Sequence, residues 1–271
     1  MSDSYWCELA LVGDAVEASV RISVDAGRFG SITTATPPEG GDRRLPGLTL
    51  PGLSNTHSHA FHRALRSRTQ RDRGTFWTWR DLMYRAVERL DPDGYHRLAR
   101  AVFAEMALAG VTSVGEFHYL HHQPDGSAYA DPNAMGRAMV AAARDAGIRI
   151  TLLDTLYLHG GLDGSRYSPT HGAQLRFCDG SAPAWIERVA ELADGPSSRI
   201  GAAVHSVRAV DPDAMSVLAD WAGGRGGPVH AHVSEQPAEN DACHERFAVT
   251  PLALLDRSGL LTDRFTAVHA T

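Results

Sequence analysis

The 271-residue sequence predicts an α/β fold, in which part of a small N-terminal β-sandwich domain precedes an incomplete TIM-like (β/α)₈ barrel. The first observation is a change of pattern near residue 50, where short β-rich segments give way to apolar runs that alternate with helix-like stretches. Such alternation is typical of parallel strands joined by helices. The second observation is spacing, because six such units occupy about 220 residues, whereas a whole barrel typically takes about 250. The predicted barrel is therefore two units short.

Residues 1–50 are predicted to contribute to the β-sandwich, and residues 51–271 to the barrel. In the first part, the segments ELALV, ASVRISVD and GSITTAT are rich in β-forming residues and are separated by Gly, Asp and Pro. The Pro- and Gly-rich segment PPEGGDRRLPG is expected to mark the far side of this small domain.

Six apolar runs are the predicted barrel strands, and two of the stretches between them end in Gly, a common helix stop. The long polar segment 159–180 follows the third run. Loops of this length are usually lids, binding loops or disordered segments. The six runs are residues 48–54, 111–117, 148–157, 200–206, 227–234 and 265–271.

The composition excludes several classes of protein. The formal net charge is −6 and the pI is about 6.1, so no general nucleic-acid-binding surface is expected. All 26 basic residues are Arg, which excludes Schiff-base chemistry and a carboxylated-lysine metal bridge. Cys7, Cys178 and Cys243 lie far apart and are expected to be reduced thiols in a cytoplasmic protein. Neither a signal peptide nor a membrane-spanning run is recognisable, so no membrane partner is expected.

Histidines recur where the predicted strands end, and in a barrel those ends line one face, where active sites lie. His57 and His59 are two residues apart, so on an extended segment their rings point to the same side. Neutral imidazole pairs of this spacing suit Zn²⁺. A single His near a strand end is more often structural, but recurrence at successive ends favours a site. The histidines concerned are His57, His59, His118, His159, His205, His230, His232 and His269.

The segment VHAHVSE holds a second pair, His230 and His232, and spacing alone does not decide which of them binds a metal. Glu235 follows three residues later, just past the strand end, where a carboxylate could transfer protons near the metal. Alternatively, Glu235 lies at a helix N-terminus and only interacts favourably with the helix dipole.

Six segments together resemble the amidohydrolase superfamily and, within it, the formimidoylglutamate deiminases. The resemblance implies hydrolysis of N-formimidoyl-L-glutamate, a small dicarboxylate of histidine degradation, to N-formyl-L-glutamate and ammonia. It also implies one divalent metal ion, expected to be Zn²⁺ with Fe²⁺ as the alternative, and a homodimer. The segments are PGLSNTHSHAFHRAL, TFWTWRDLMY, EFHYLHH, AVHSVRAV, HAHVSEQ and AVHAT.

The resemblance implies a role for ten residues of this sequence, and it favours His232 over His230 as a ligand. At the position of His62 the family often has Gln, so the contribution of His62 is expected to vary with pH. The implied metal ligands are His57, His59 and His232; the catalytic residues are Glu235 and His269; the substrate-binding residues are His62, Arg80, Tyr119, His205 and Arg208.

Arg80 and Arg208 fit a dicarboxylate substrate, because a guanidinium group can bind a carboxylate with two hydrogen bonds. The alternative is a deaminase that acts on a heterocycle such as guanine or cytosine. The two Arg residues argue against it, because an uncharged base has no use for two guanidinium groups. From the sequence alone, Arg80 could instead belong to a solvated, Arg-rich face, and Arg208 could pair with Asp211.

Aromatic residues accompany these groups. Tyr119 could equally be a packing residue, and Trp77 and Trp79 are expected to line the pocket or pack a lid.

The chain is expected to be a C-terminally truncated member of the superfamily. The resemblance implies a fourth metal ligand, an Asp at the end of the eighth barrel strand, and this sequence supplies no seventh or eighth strand. Two classes of function therefore remain open. The first is an enzyme that is active as the full gene product, and the second is an inactive or binding-only fragment.

Overall fold

The computed structural model describes residues 3–69, 76–164 and 166–271. Backbone contacts divide the chain after Leu53 into two units. The first unit contains a four-stranded sheet in the order β3-β2-β1-β4. Its strands are β1 (Asp3–Val12), β2 (Ala15–Asp25), β3 (Arg28–Thr33) and β4 (Arg43–Thr49).

Two tight turns organise this sheet. Strands β1 and β2 are antiparallel, from Asp3 opposite Val24 to Val12 opposite Ala15, so two residues connect them. Ala26 and Gly27 connect β2 to β3 with φ angles of +48° and +75°. Positive φ at both central residues matches the right-handed twist of paired strands and is typical of a tight hairpin.

The structure corrects two predictions for residues 37–54. Strand β4 pairs in parallel with β1, so the segment expected to mark the far side of the domain contributes a strand. The predicted first barrel strand, residues 48–54, is wrong, because that run is divided between β4 and a strand that begins at Leu53. Pro51 and Gly52 lie between them, and Pro has no N–H group to continue a ladder.

The second unit contains a six-stranded sheet in which the strands follow one another in chain order. The four pairings from β6 to β12 are parallel. Parallel strands with intervening helices give a partial TIM-like α/β fold. The sheet consists of β5 (Leu53–Ser58), β6 (Val111–His118), β7 (Arg149–Leu156), β10 (Ser198–Val204), β11 (Val229–Val233) and β12 (Phe265–His269), and a separate hairpin consists of β8 (Gly161–Asp163) and β9 (Arg166–Ser168).

Most helices of the described segments begin with a polar cap and a Pro in the first turn. The side chains of Asp91, Ser181, Asp211 and Thr250 each accept a hydrogen bond from the backbone N–H three residues later. None of the described helices is long and apolar enough to cross a membrane. The helices are α1 (Phe76–Val87), α2 (Pro92–Leu108), α3 (Ala134–Ala146), α4 (Ala182–Ala190), α5 (Pro212–Arg225), α6 (Pro237–Phe247) and α7 (Pro251–Arg257).

The polar segment 159–180 contains regular structure within its described residues. It forms the β8–β9 hairpin and a 3₁₀ helix, Gly172–Phe177. The Tyr167 hydroxyl lies 3.0 Å from the carbonyl oxygen of Val207 and 3.1 Å from that of Val210. The hairpin is thereby attached to the turn that follows β10.

A buried ionic network joins α4 to the sheet. Arg188 donates to both carboxylate oxygens of Asp154 on β7, at 2.8 and 3.0 Å, and to both of Asp179, at 2.7 and 2.9 Å. Burial raises the pKa of Asp154, but the guanidinium outweighs it and holds this pKa below the usual range. Both carboxyl groups therefore stay ionised in the interior.

We expect Arg188→Met to lower the free energy of unfolding by about 3–5 kcal/mol, because it leaves two buried carboxylates without their cation. Arg137→Met is the matched control, since its pair with Asp131 is about half exposed and should contribute less than about 1 kcal/mol. Urea unfolding of the full gene product measures both values. Equal effects of the two substitutions would contradict this account.

Candidate active site

One cavity of about 490 Å³ is lined by all ten residues for which the resemblance implies a role. Most of them lie at the carboxyl ends of the sheet strands or just beyond, where barrel active sites are found. The ten are His57, His59, His62, Arg80, Tyr119, His205, Arg208, His232, Glu235 and His269.

Three of these histidines converge on one point. His59 Nε2 lies 3.1 Å from His57 Nε2 and 3.2 Å from His232 Nε2. In a tetrahedral zinc site with bonds of about 2.0–2.1 Å, two ligand nitrogens are about 3.3 Å apart. The spacing of the Nε2 atoms is therefore close to that of zinc ligands.

Backbone carbonyls fix the tautomer of two of these rings. His59 Nδ1 lies 2.9 Å from the carbonyl oxygen of Phe117, and His232 Nδ1 lies 2.9 Å from that of His205. A carbonyl oxygen only accepts, so each Nδ1 carries the proton and each Nε2 presents a lone pair. Two lone pairs that face each other at 3.2 Å repel unless a cation lies between them. The geometry therefore fits a bound metal ion.

Burial keeps these imidazoles neutral. It lowers the pKa of His57 to about 4, and His230 and His269 lower it to a smaller degree. Burial also holds the pKa values of His59 and His232 well below the usual range, and neighbouring imidazoles lower both further. The neutral ring is the form that binds a metal, so no proton has to leave these ligands near neutral pH.

A second group of potential ligands, His118, His121 and Asp154, lies outside the cavity lining. Asp154 accepts hydrogen bonds from Trp185 Nε1 at 2.9 Å and from Arg188 on both oxygens. Its charge is therefore already balanced by a guanidinium. His118, which the sequence placed at a strand end, belongs to this structural network.

Glu235 lies beside the three-histidine group. It precedes Gln236, the N-cap of α6, and so lies outside the first turn of that helix. One oxygen accepts from Arg208 Nη2 at 2.6 Å, and the other lies 3.9 Å from His269 Nε2. The His269 ring in turn stacks on His232, with 5.4 Å between centroids. A carboxylate and an imidazole thus stand together at the candidate metal centre.

Arg208 does not pair with Asp211, the partner that the sequence left open. Asp211 caps α5 and lies 2.9 Å from His159 Nε2. Arg208 instead lies between Glu235 and Glu239, with its Nε 3.0 Å from Glu239 Oε2. Glu239 lines the cavity and was not predicted as a site residue. The only signal for it in the sequence is a second carboxylate four residues after Glu235.

His62 and Tyr119 form a hydrogen-bonded pair in the cavity wall, with 2.9 Å between Nε2 and the hydroxyl oxygen. Burial, with a smaller effect of His57, lowers the pKa of His62 to about 3. The expected pH dependence of His62 is therefore confined to acidic solution. Burial also raises the pKa of Tyr119 well above its usual value, so its hydroxyl stays protonated.

Arg80 is half-buried in the cavity wall rather than on a solvated face. Its guanidinium lies 5.6 Å from the centroid of the Tyr84 ring. The neighbouring Trp79 packs edge-on against His62, with 5.0 Å between centroids. The side chain of Trp77 lies outside the described residues.

An aromatic wall completes the cavity, and it was not predicted from the sequence. Tyr84, Tyr157 and Phe177 line the cavity, and Phe177 lies 5.5 Å from Tyr157 and 6.2 Å from Tyr84 between ring centroids. His159 also lines the cavity, whereas His230 does not.

The chain is similar to several known proteins. Residues 48–271 match the amidohydrolase family. The chain is 39% identical to formimidoylglutamate deiminase of Pseudomonas aeruginosa over 98% of its own length and 59% of that protein. It is 26% identical to 8-oxoguanine deaminase of the same organism, over 82% of this chain and 48% of that one.

The crystal structure of an amidohydrolase from Brucella melitensis matches with a TM-score of 0.87 and 31% identity, over 99% of this chain and 60% of that one. This chain therefore spans less than two thirds of each of these proteins. The family match nevertheless extends from the last residues of the small sheet through every strand of the six-stranded one. The chain belongs to the amidohydrolase family.

Proposed function

We propose that the full gene product is a metal-dependent hydrolase that converts N-formimidoyl-L-glutamate to N-formyl-L-glutamate and ammonia. The observation that carries this proposal is a single cavity that combines three convergent neutral imidazoles, one carboxylate beside them and two guanidinium groups. A dicarboxylate with a hydrolysable amidine needs each of these groups. The deiminase relative supports the same substrate class.

Two cationic side chains can hold the two carboxylates of such a substrate. Burial raises the pKa of Tyr84, while the charges of Arg80 and Arg208 both lower it. Arg80 lies 5.6 Å from the Tyr84 ring centroid, and Arg208 lines the same cavity, so both guanidinium groups can reach one bound dicarboxylate. Neutral His62, His205 and the Tyr119 hydroxyl add hydrogen-bonding groups in the same wall.

The three Nε2 atoms of His57, His59 and His232 would hold the metal ion, and their nitrogen donors suit Zn²⁺. A bound divalent ion would supply Lewis acidity and lower the pKa of water toward about 7. The fixed tautomers of His59 and His232 keep their lone pairs aimed at this position.

Glu235 and His269 are proposed to carry out the proton transfers. Water adds to the amidine carbon, the C–N bond to the departing nitrogen breaks, and both protons of the water reach that nitrogen; Glu235 carries them in two successive transfers, and ammonia leaves. His269, whose Nε2 lies 3.9 Å from Glu235, holds the attacking oxygen and the charge that develops on the substrate. Binding of the carboxylates by Arg80 and Arg208 fixes the amidine carbon in front of these groups.

A deaminase that acts on a heterocycle is the second candidate. The aromatic wall of Tyr84, Tyr157 and Phe177 could stack against a planar base, and one relative is an 8-oxoguanine deaminase. Two guanidinium groups facing an uncharged base would remain unmatched, which disfavours this candidate.

We expect the zinc-loaded full gene product to release ammonia from N-formimidoyl-L-glutamate and to leave guanine, cytosine and 8-oxoguanine largely unchanged. Arg80→Gln tests the charge recognition. It should raise KM for the dicarboxylate, because one carboxylate of the substrate loses its charged partner. Ammonia release measures both. Activity on the bases alone would refute the substrate class, and no activity on any compound would refute the proposed enzymatic function.

Glu235→Gln should reduce turnover by about 10²-fold or more, because an amide cannot carry the proton. Zinc content should not change, since Glu235 is not among the three convergent ligands. Glu245→Gln, an exposed position on α6, is the matched control and should behave as the parent. A Glu235→Gln variant within a few-fold of the parent rate would exclude the proposed proton transfer.

His232→Asn should weaken zinc binding by more than about 100-fold, because it removes a metal ligand. Loss of a residue that only hydrogen-bonds to a ligand costs roughly 10- to 100-fold in metal affinity. His244→Asn, exposed on α6, is the control and should retain zinc. The readouts are bound zinc after dialysis and the rise in Tm on zinc addition. Full zinc occupancy in His232→Asn would contradict the proposed ligand set.

A further inference from the structure

The guanidinium of Arg208 is shared by two carboxylates in this structure. Its Nη2 donates to Glu235 at 2.6 Å, and its Nε lies 3.0 Å from Glu239. The contact with Glu235 has hydrogen-bond geometry, whereas the contact with Glu239 is an ion pair without it. Arg208 therefore forms its hydrogen bond with Glu235, the residue proposed to transfer protons, and only an ion pair with Glu239.

The two carboxylates differ in burial. The Glu239 side chain is 0% exposed, whereas that of Glu235 is 19% exposed toward the cavity. Burial raises the pKa of Glu239 above its ordinary value, and the charge of Arg208 is the main influence that offsets part of this rise. An ionised carboxylate at full burial requires a cation, and Arg208 is the nearest one among the described residues. Glu239 is thus fixed, whereas Glu235 has room to move.

Glu239 also supports the turn that carries Glu235. Its second oxygen accepts the backbone N–H of Ser234 at 3.0 Å. Ser234 has a φ of +54°, a left-handed conformation that a non-glycine residue adopts at a cost of about 1 kcal/mol or more. The hydrogen bond offsets part of this cost. One buried carboxylate therefore connects the proposed carboxylate-binding Arg208 with the backbone of the proposed proton carrier.

We propose that Glu239 is a positioning residue that holds Arg208 in place while a carboxylate of the substrate replaces Glu235 on the guanidinium. The inference rests on the proposed function, because it takes Arg208 to be a carboxylate-binding group. Arg208 has five N–H donors, and the Nη2 hydrogen that Glu235 accepts at 2.6 Å becomes open to a substrate carboxylate only when Glu235 moves away. Substrate binding therefore displaces Glu235 toward His269 and the three histidines, and Glu239 keeps Arg208 from following it.

The first measurement is binding of N-formyl-L-glutamate, the proposed product, to the zinc-loaded full gene product by titration calorimetry. Glu239→Gln retains an acceptor for Ser234 but loses the charge that faces Arg208. We expect its Kd to rise about 10- to 100-fold, because a displaced Arg208 loses its charge-assisted hydrogen bond to the carboxylate of the ligand. KM should rise in parallel, while kcat stays within a few-fold of the parent. Asp241→Asn, exposed on the same helix, is the matched control.

A double-mutant cycle separates positioning from a general structural effect. If Glu239 acts through Arg208, Glu239→Gln should add no further loss of affinity in an Arg208→Gln background. The same loss in both backgrounds would overturn the inference, as would an unchanged Kd in Glu239→Gln. If Glu239→Gln does not fold, Glu239→Asp keeps the charge, and its shorter side chain should still raise Kd. An unchanged Kd in Glu239→Asp would then overturn the inference.

The two proposals fail in different ways. A parent protein that binds neither N-formyl-L-glutamate nor the formimidoyl substrate would refute the proposed function and the inference that rests on it. A parent that binds and turns over substrate, with unchanged affinity in the Glu239 variants, would refute the inference alone.

Discussion

The hydrogen bonds from two histidines to backbone carbonyls are the interactions on which the site depends. His59 donates to the carbonyl of Phe117 on β6, and His232 donates to that of His205, just after β10. His59 follows β5, which neighbours β6, and His232 lies on β11, which neighbours β10. Each acceptor thus comes from the strand beside the histidine or from the residue that follows that strand. The order and register of the sheet therefore decide which nitrogen of each ring is free. A shift of one residue between neighbouring strands would turn these rings to the other face.

Charge in the cavity follows from the composition of the chain. Because every basic residue is Arg, each fixed cation near the site is a planar group that forms several directed hydrogen bonds. Arg208 uses this property to face two carboxylates at once, and Arg188 uses it in the buried network behind the sheet. A Lys ammonium is a point charge and would hold neither arrangement with the same geometry. Burial lowers the pKa of five histidines of the cavity and keeps them neutral, so they add donors and acceptors without adding charge; they are His57, His59, His62, His205 and His232.

Much of the fold and of the cavity could be predicted from local patterns. The strands of the six-stranded sheet from β6 onward begin and end within about two residues of their predicted positions, because apolar runs bounded by Gly, Pro and polar caps mark them clearly. The first barrel strand was misplaced, since one apolar run supplies two sheets and only Pro51 and Gly52 separate them. Glu239 was missed for a different reason. In the sequence it looks like an ordinary acidic residue in the first turn of a helix, and its burial is a tertiary property.

The arrangement around Arg208 has a consequence for how substrate recognition and proton transfer depend on each other. Arg208 donates a hydrogen bond to Glu235 at 2.6 Å, so the proposed proton carrier is bound to the proposed substrate-binding group. An uncharged ligand is a weaker acceptor for that guanidinium than the Glu235 carboxylate, so it leaves Glu235 where it is. A dicarboxylate both occupies Arg208 and frees Glu235, so discrimination against uncharged bases would act on the chemical step as well as on binding. The buried and immobile Glu239 makes this exchange possible, because Arg208 keeps one fixed partner throughout.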